Sequence, residues 1–187
     1  MQDIFKRIAN TLKTLRQERG WSLDKTALET GVSKAMLGQI EREESSPTIA
    51  TLWKIATGFQ TSFSSFIEEI TEETSDLLYR VGDAKILHPE DEKIRVHPLF
   101  PFDKTLRFEL FAIELLPGCE HLSPPHESKV IEHIIVVEGN MDVLVNGDWR
   151  SLGKGEGLRF NADQAHGYRN ISRKLARFHD IIHYGTS

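Results

Sequence analysis

One stretch of the chain places hydrogen-bonding side chains and very small side chains on a single face of a predicted helix. This face lies within residues 20–47, GWSLDKTALETGVSKAMLGQIEREESSP, and carries Lys34, Ala35, Gly38 and Gln39. Leu37 and Ile40, three residues apart, face the opposite way, toward a core. A helix with such a solvent face fits the major groove of DNA, where side chains can reach the base edges. The sequence therefore predicts recognition of DNA through hydrogen bonds.

The residues around this face form the pattern of two short helices joined by a tight turn. Ala27 is small at a position in the first helix where a larger side chain would block the second. Gly31 follows four residues later, at a turn position where a left-handed conformation costs a glycine little. Val32 is expected to pack beneath the turn, and Ser33 is a good N-cap for the next helix. Together these residues predict a helix-turn-helix.

The first 70 residues are predicted to form an all-α bundle of five helices. In the first helix the apolar residues Ile4, Ile8, Leu12 and Leu15 share one face. Gly20 ends this helix, and Ser22 and Thr48 are expected to cap later ones. The expected helices cover residues 4–18, 22–30, 33–43, 48–58 and 62–69.

Beyond the helical domain the hydrophobic period changes from that of a helix to that of a strand. The segment TEETSD, residues 71–76, is polar and acidic, and it predicts a linker over 71–79. The expected strands are RFELFAIELL, IEHIIVVEG, MDVLVNG, GLRF and ARFHDIIHY, and Asn146-Gly147 is a strong hairpin signal. Many short strands without a long helix predict an antiparallel all-β sandwich or barrel over 80–187.

The charge of the chain differs between its two halves. Residues 1–70 contain nine basic and nine acidic side chains, whereas residues 71–187 contain 14 and 19, which accounts for the net charge of −5. A neutral domain can still bind DNA when its cations lie on one face, because the local potential decides. The chain has no apolar run long enough to cross a membrane, no signal-peptide core and a single cysteine, Cys119. These features predict a cytoplasmic protein without an internal disulfide.

Residues 5–67 resemble the phage-repressor-type helix-turn-helix of the XRE family. The segments RQERGWSL, TGVS, LGQIER, SPT and LWKIA stand at the positions that this family uses. The resemblance implies that the helix after the turn lies in the major groove, where Lys34 donates to guanine O6/N7 and Gln39 pairs with adenine N6/N7. It also implies that Ala35 and Gly38 leave room for close approach or for a thymine methyl. The residues expected to contact phosphates are Ser22, Ser33, Arg42 and Thr48.

The chain departs from this family at two positions. Thr26 stands where the family usually has an apolar residue, and Leu28 stands where it usually has a polar one. The first helix of the motif is therefore expected to be slightly rotated, or to present Leu28 to another surface.

Residues 80–187 resemble a cupin, a double-sheet jelly-roll barrel. Two segments carry the resemblance, PGCEHLSPPHESKVIEHIIVVEG and GEGLRFNADQAHGYRN. In the first segment, the family's first metal histidine, its glutamate and its closing glycine correspond to His126, Glu132 and Gly139. In the second segment, its last histidine and its asparagine correspond to His166 and Asn170. The resemblance implies that these side chains lie on neighbouring strands and point into the barrel.

The match to the metal-binding cupins is incomplete. Ser128 replaces the second histidine of the family's His-x-His, which leaves His126, Glu132 and His166. Two histidines and a carboxylate can form a facial triad for a divalent transition metal. With Ser128, the same groups can instead line a pocket that binds a small-molecule effector without a metal. A purely structural or dimerising barrel is the third alternative.

The sequence leaves several other side chains of this half unassigned. His133 cannot replace a ligand, because on a strand it points opposite to Glu132. Cys119 is a candidate sensor thiol or, more simply, a small residue after a Pro-Gly loop. An arginine turned inward would favour an anionic effector. The arginines on or beside predicted strands are Arg107, Arg159, Arg169 and Arg177, and the histidines that could lie near the barrel mouth are His121, His179 and His183.

The two resemblances together imply a sequence-specific transcriptional regulator that binds a double-stranded DNA operator and senses a small molecule or metal through its cupin domain. Regulators of this architecture act as homodimers, which would place two recognition helices in successive major grooves about 34 Å apart. The segment 31–58 is similar to enterobacterial regulators of sulfur utilisation, which implies a role in sulfur metabolism. The alternatives are a metal-dependent cupin dioxygenase or isomerase with a DNA-binding appendage, and an antitoxin-like interaction protein.

Overall fold

The computed structural model describes residues 2–67, 93–103, 105–126 and 129–185, which fall into two compact units. The first unit lies within Met1–Thr71 and the second within Glu72–Ser187. The linker predicted over 71–79 and the expected start of the second domain at residue 80 lie outside the described residues.

The first unit is helical. Its helices are α1, Gln2–Glu18; α2, Leu23–Thr30; α3, Lys34–Glu41; and α4, Ile49–Gly58. Fully buried side chains from all of these helices and the following segment meet in one core, among them Leu12, Leu37, Leu52 and Phe59. No helix in the described part of the chain is long and apolar enough to span a membrane.

The prediction of five helices is not confirmed. In place of the helix expected over 62–69, the structure has a single 3-10 turn at Ser64–Phe66, and residues 68 and 69 lie outside the described part. The Ser65 hydroxyl donates to the main-chain oxygen of Ser62 at 2.6 Å. A serine side chain that bonds to nearby main chain competes with regular helical hydrogen bonding, which explains why this serine-rich segment forms only a turn.

The helix-turn-helix forms through the caps that the sequence predicted. The hydroxyl oxygens of Ser22, Ser33 and Thr48 accept hydrogen bonds from the main-chain N–H three residues later, at 3.2, 3.3 and 3.0 Å. Gly31 adopts the left-handed conformation, with φ of 65°, and its N–H donates to the oxygen of Ala27. The caps and the glycine together set the angle at which α3 leaves α2.

In the described part of the second unit, nine strands form two antiparallel sheets. The strands are β1, Ile94–Asp103; β2, Phe108–Leu115; β3, Cys119–Ser123; β4, Val130–Glu138; β5, Asn140–Val145; β6, Asp148–Gly153; β7, Gly157–Asn161; β8, His166–Asn170; and β9, Ala176–Tyr184. The larger sheet has the order β1-β2-β9-β4-β7, and the smaller sheet has the order β3-β8-β5-β6. The prediction of an all-β second domain is confirmed.

The five strands expected from alternation are β2, β4, β5, β7 and β9, and the structure adds four that the sequence did not predict. One of these, β1, contains Pro98 and Pro101, residues that normally argue against a strand. Among the described strands it pairs only with β2 and so forms an edge of the larger sheet, where proline is tolerated. Its register with β2 is irregular between Pro98 and Phe100.

Alternation along β4 decides which side chains enter the space between the sheets. Val130, Glu132, Ile134 and Val136 are buried, and the residues between them are more exposed. Glu132 lies opposite Ile182 of β9 on one side and Phe160 of β7 on the other. Glu132 therefore points into the barrel, and His133 faces outward, as the sequence predicted.

Gly139 and Gly147 lie in the turns at the two ends of β5 and differ in the free space around them. Gly139, between β4 and β5, has φ of 73°, and a Cβ placed on it would lie 2.4 Å from the main-chain oxygen of Leu175. Gly147, in the Asn146-Gly147 hairpin that joins β5 to β6, has φ of 84°, but a Cβ placed there would have no neighbouring atom within 4 Å. The left-handed conformation alone requires glycine at the hairpin, whereas Gly139 is also required by close packing.

We expect the substitution Gly139→Ala to destabilise the second unit by about 3 kcal/mol, because it adds a steric clash to an unfavourable φ. Gly147→Ala is the matched control and should cost only about 1 kcal/mol, since it changes the conformational preference without a clash. The free energies of unfolding can be measured in urea by following NMR resonances of the strands. Equal losses in both variants would show that the contact with Leu175 does not matter.

Candidate functional site

The exposed side of α3 presents three of the four residues predicted to face base edges. Lys34, Ala35 and Gln39 are all exposed. The Lys34 ammonium lies 2.8 Å from a carboxylate oxygen of Asp24 on α2, and both side chains are more than half exposed. An ion pair in such a position contributes little stability, so Lys34 can exchange it for a base or a phosphate. The face thus offers a cation, an amide and a methyl group.

The expectation that Gly38 lies on this solvent face was wrong. Gly38 is buried, and a Cβ placed on it would lie 3.1 Å from Arg42 Nη1 and 3.7 Å from Leu23 Cδ1. The side chain that glycine lacks would point toward α2 rather than toward solvent. Gly38 therefore allows α2 and the Arg42 side chain to pack closely against α3.

The residues predicted to contact phosphates are exposed at helix ends. Ser22, Ser33 and Thr48 already act as N-caps, but a hydroxyl that accepts a hydrogen bond retains a proton to donate. Arg42 donates from Nε and Nη2 to the two carboxylate oxygens of Glu44, at 2.8 and 2.7 Å. This bond lowers the pKa of Glu44. Since both side chains are more than half exposed, a phosphate can compete with Glu44 for the guanidinium.

The two departures from the family pattern have different structural outcomes. Thr26 is fully buried in place of an apolar residue, and its hydroxyl donates to the main-chain oxygen of Ser22 at 3.0 Å. That bond satisfies its polar atom, so the threonine packs at a position that otherwise suits an apolar side chain. Leu28 is 75% exposed on the opposite side of α2.

An ion pair holds α3 against α1. Arg16 donates from Nε and Nη2 to the two carboxylate oxygens of Glu41, at 2.6 and 2.9 Å. Its Nη1 also donates to the main-chain oxygen of Trp21, at 3.0 Å. The hydrogen bond to Glu41 raises the pKa of Arg16 despite its partial burial. The paired side chains are 17% and 9% exposed, so the contact is largely shielded from solvent.

The second unit brings together the three side chains that the cupin resemblance singled out. His126 Nε2 lies 2.9 Å from Glu132 Oε1, and His166 Nε2 lies 3.2 Å from the same oxygen. All three side chains are at most 8% exposed, and the atoms that could bind a metal lie within 4.8 Å of one another. Ser128, the other predicted pocket residue, lies outside the described residues.

The arrangement of His166 fits a ligand of a divalent transition metal. Its Nδ1 lies 2.9 Å from the main-chain oxygen of Gln164 and donates to it, which leaves Nε2 as the ring nitrogen that can bind a metal once it has lost its proton. Nε2 is buried and faces Glu132 Oε1 at 3.2 Å. Two imidazole nitrogens and a carboxylate oxygen that are buried together form a donor set that suits such a metal.

Tyr168 of β8 completes the surroundings of Glu132, and the sequence did not predict its role. Its hydroxyl donates to Glu132 Oε2, the oxygen that faces away from the histidines. Burial raises the pKa of Glu132, but His166 and His126 more than offset this and hold the pKa well below its usual range. Burial lowers the pKa of His166, but the Glu132 charge outweighs burial and raises it. The carboxylate is thus held in its charged form.

Two further acidic side chains share the inner face of the larger sheet. Glu109 lies in the same row as Glu132, with Ile182 between them, and Asp180 lies in the next row. Both are buried, and the Tyr184 hydroxyl donates to Glu109. Burial and the charges of Glu132 and Glu109 raise the pKa of Asp180 well above its usual range, which favours its neutral form. The period of two would have identified both residues as inward-facing.

The four arginines that the sequence places on or beside strands lie outside the barrel interior. Arg107 donates to the main-chain oxygens of Tyr184 and Gly185, Arg169 pairs with Asp142, and Arg177 pairs with Glu114 and Glu138. Arg159 is exposed and lies opposite His133 on the outer face. None of these four arginines turns into the triad pocket, so the reason for expecting an anionic effector in that pocket does not apply.

The remaining histidines and the cysteine also occupy different environments. His121 on β3 is buried, and burial together with His166 lowers its pKa to about 4. His179 lies beside Ala112 and Ile135 in the register of the larger sheet, and His183 is exposed. Cys119 is a buried free thiol at the start of β3. Of these four residues, His121 is the one whose charge state is electrostatically linked to the triad.

Comparisons with known proteins agree with both units. A helix-turn-helix family model matches residues 12–66, and a cupin domain model matches residues 111–182. The chain is 47% identical to the HTH-type transcriptional regulator SutR of Escherichia coli (strain K12), over the full length of both. The crystal structure of an HTH_3 family transcriptional regulator from Vibrio cholerae is 46% identical, with a TM-score of 0.84 over 98% of each chain. The Cupin_2 domain of an XRE family transcriptional regulator from Enterobacter cloacae is 44% identical, with a TM-score of 0.50, and covers 51% of this chain and all of that one.

We expect Glu41→Ala to destabilise the helical unit by about 2 kcal/mol, because it leaves the shielded Arg16 guanidinium without its bidentate partner. Glu44→Ala also removes a bidentate arginine partner, but from a pair that is more than half exposed, and should leave the free energy of unfolding nearly unchanged. Urea unfolding followed by tryptophan fluorescence distinguishes the two variants. Equal stability of both would mean that the contact between α1 and α3 does not depend on this ion pair.

Proposed function

The chain belongs to the family of helix-turn-helix transcriptional regulators with a C-terminal cupin domain, and we propose that it binds a double-stranded DNA operator sequence-specifically through α3. The observation that carries the proposal is the exposed α3 face with Lys34, Ala35 and Gln39, bordered by capped helix ends. Lysine and glutamine can read guanine and adenine edges, and the hydroxyls and Arg42 can fix the register by contacting phosphates. Gly38 supports this face by close packing and is not proposed as a base contact.

The proposal includes a homodimer acting in the cytoplasm. Two copies of α3 would enter successive major grooves about 34 Å apart, which requires a palindromic operator. Selection of bound fragments from the source genome by the purified protein tests the whole proposal. Enrichment of such a palindrome would support it, and failure to enrich any sequence would contradict it. The role in sulfur metabolism remains a prediction that the genes beside the enriched fragments can test.

We place the sensing function in the barrel, at His126, Glu132 and His166. Their donor set suits a divalent transition metal, which would supply open coordination positions for an effector. His166 is oriented by the main-chain oxygen of Gln164, and Glu132 is oriented by Tyr168. Effector binding would then change the affinity for the operator, by roughly 1–3 kcal/mol if the coupling is typical.

A metal-dependent enzyme is the second candidate, and the same triad is the observation that favours it. Two histidines and one carboxylate leave coordination positions open for a substrate in many oxygenases. A relationship to transcriptional regulators over the full chain favours the regulator instead. Catalytic turnover by the metal-loaded protein, on any compound that also alters operator binding, would favour the enzyme.

We expect Lys34→Ala and Gln39→Ala each to weaken binding to a preferred operator by about tenfold and to relax base preference at one position per half-site. Lys13→Ala removes an exposed lysine from α1 and serves as a control that should leave base preference unchanged. Arg42→Gln should weaken binding to all sequences alike and reduce its salt dependence by the equivalent of about one phosphate contact. Fluorescence anisotropy with operator variants measures all four. Unchanged binding by both α3 variants would exclude the assignment of this face.

We expect the metal-free protein to bind about one Co²⁺ per chain, with a visible absorption spectrum that reports the ligands. Glu132→Gln should weaken binding by about 100-fold, and Tyr168→Phe, which removes the hydrogen bond that orients Glu132, by about tenfold. The control is His133→Ala, because His133 neighbours Glu132 on β4 but faces outward. A wild-type protein that binds no Co²⁺ would favour the metal-free effector pocket.

A further inference from the structure

A cleft on the edge of the barrel lies apart from the triad and carries two arginines. It is lined by residues of β6, an edge strand of the smaller sheet, and of β7, an edge strand of the larger one. The cleft has a volume of about 230 Å³. The residues that matter for its chemistry are Asn146, Arg150, Leu158, Arg159, Phe160 and Asp163.

The two arginines of this cleft differ from the other strand arginines of the barrel. Arg150 and Arg159 form no hydrogen bond, ion pair or ring contact with any described residue, and both are exposed. By contrast, Arg107, Arg169 and Arg177 are each held by main-chain oxygens or by carboxylates. Asp163 carries the one carboxylate among the cleft residues, so the described lining has an excess of positive charge. The cleft therefore attracts anions and offers two guanidinium groups that pair with none of the described residues.

The floor of the cleft connects it to the triad. Phe160 lines the cleft and is only 7% exposed, and its ring centroid lies 5.5 Å from that of His166. Phe160 also lies opposite Glu132 in the register between β7 and β4. A molecule bound on the outer side of Phe160 is thus separated from the triad by one aromatic ring. Movement of the Phe160 ring would change the packing around the His166 imidazole.

We propose that this cleft binds the anionic group of a small molecule, such as a sulfate, phosphate or carboxylate, through Arg150 and Arg159. Guanidinium groups form paired hydrogen bonds with the oxygens of such anions, and Asn146 offers an amide beside them. The volume is below the roughly 300–1,000 Å³ of pockets for drug-sized ligands, which suits a small anion. Anion binding does not depend on the proposed regulatory function. The effect of a bound anion on DNA binding does depend on the proposed function, and that effect would identify the class of effector.

The test is a titration of the full-length protein with sodium sulfate, phosphate and acetate, at an ionic strength kept constant with sodium chloride. NMR spectra of arginine side-chain Nε–H groups and of the β6 and β7 amides report the site directly. We expect saturable shifts at Arg150, Arg159 and Phe160. Arg150→Gln and Arg159→Gln should each weaken binding by about tenfold. Asp163→Asn should strengthen it several-fold, because it removes a repelling charge.

The control variant is Arg173→Gln, which removes an exposed arginine from the turn between β8 and β9 and should not change the affinity. The proposal would be wrong if none of the three anions gave saturable shifts, or if the control lost as much affinity as the cleft variants. It would also be wrong if operator DNA shifted these resonances while the small anions did not, since the cleft would then be a nucleic-acid contact. Saturable anion binding without any change in operator affinity would leave the site established and would remove its role in regulation.

Discussion

The second unit depends on stabilising one charge that its strands bury. Glu132 points into the space between the sheets because it alternates with the apolar residues of β4. A lone carboxylate there would cost several kcal/mol or become protonated. The two histidines and the Tyr168 hydroxyl share its oxygens, so the charge is retained. The same contacts that make the burial tolerable also create the donor set that suits a metal.

The distribution of charge within the barrel gives the two candidate ligand sites opposite character. Among the described residues, three carboxylic acids are buried in the interior, and burial and the other two acids hold Asp180 toward its neutral form. The arginines lie outside, where Arg169 and Arg177 pair with acidic residues. A cation is therefore suited to the interior, and an anion is suited to the edge cleft. Phe160 lies between these sites, with its ring centroid 5.5 Å from that of His166 in the triad, and offers a short route for coupling them.

The helical unit meets a different requirement, which is to hold a short helix at a fixed angle with one face exposed. An isolated helix of eight residues is unstable in water, so α3 must be held by caps and by tertiary contacts. Ser33 satisfies its first turn, Gly38 allows α2 to approach, and Arg16 binds Glu41 at its last residue. All of these contacts lie away from Lys34, Ala35 and Gln39. That separation leaves the recognition face free to vary without loss of the fold.

The sequence by itself determined the features that depend on local geometry. The caps at Ser22, Ser33 and Thr48, the left-handed Gly31, the Asn146-Gly147 hairpin and the inward orientation of Glu132 follow from preferences within a few residues. The resemblance to the cupins identified His126 and His166 as pocket residues. Hydrophobic periodicity alone would not have placed these two histidines together. The strand β1 was missed because its prolines are tolerated only at a sheet edge, and a local pattern does not reveal an edge.

Only the tertiary structure decided which side chains meet across long separations in the chain. It placed Gly38 against α2, brought the Tyr168 hydroxyl to Glu132, and left Arg150 and Arg159 without a partner among the described residues, whereas Arg169 and Arg177 are paired. These outcomes depend on strand order and helix packing, which bring together residues that are far apart in sequence. Because spacing along a chain does not encode those distances, the sequence could name the reactive groups but not their partners.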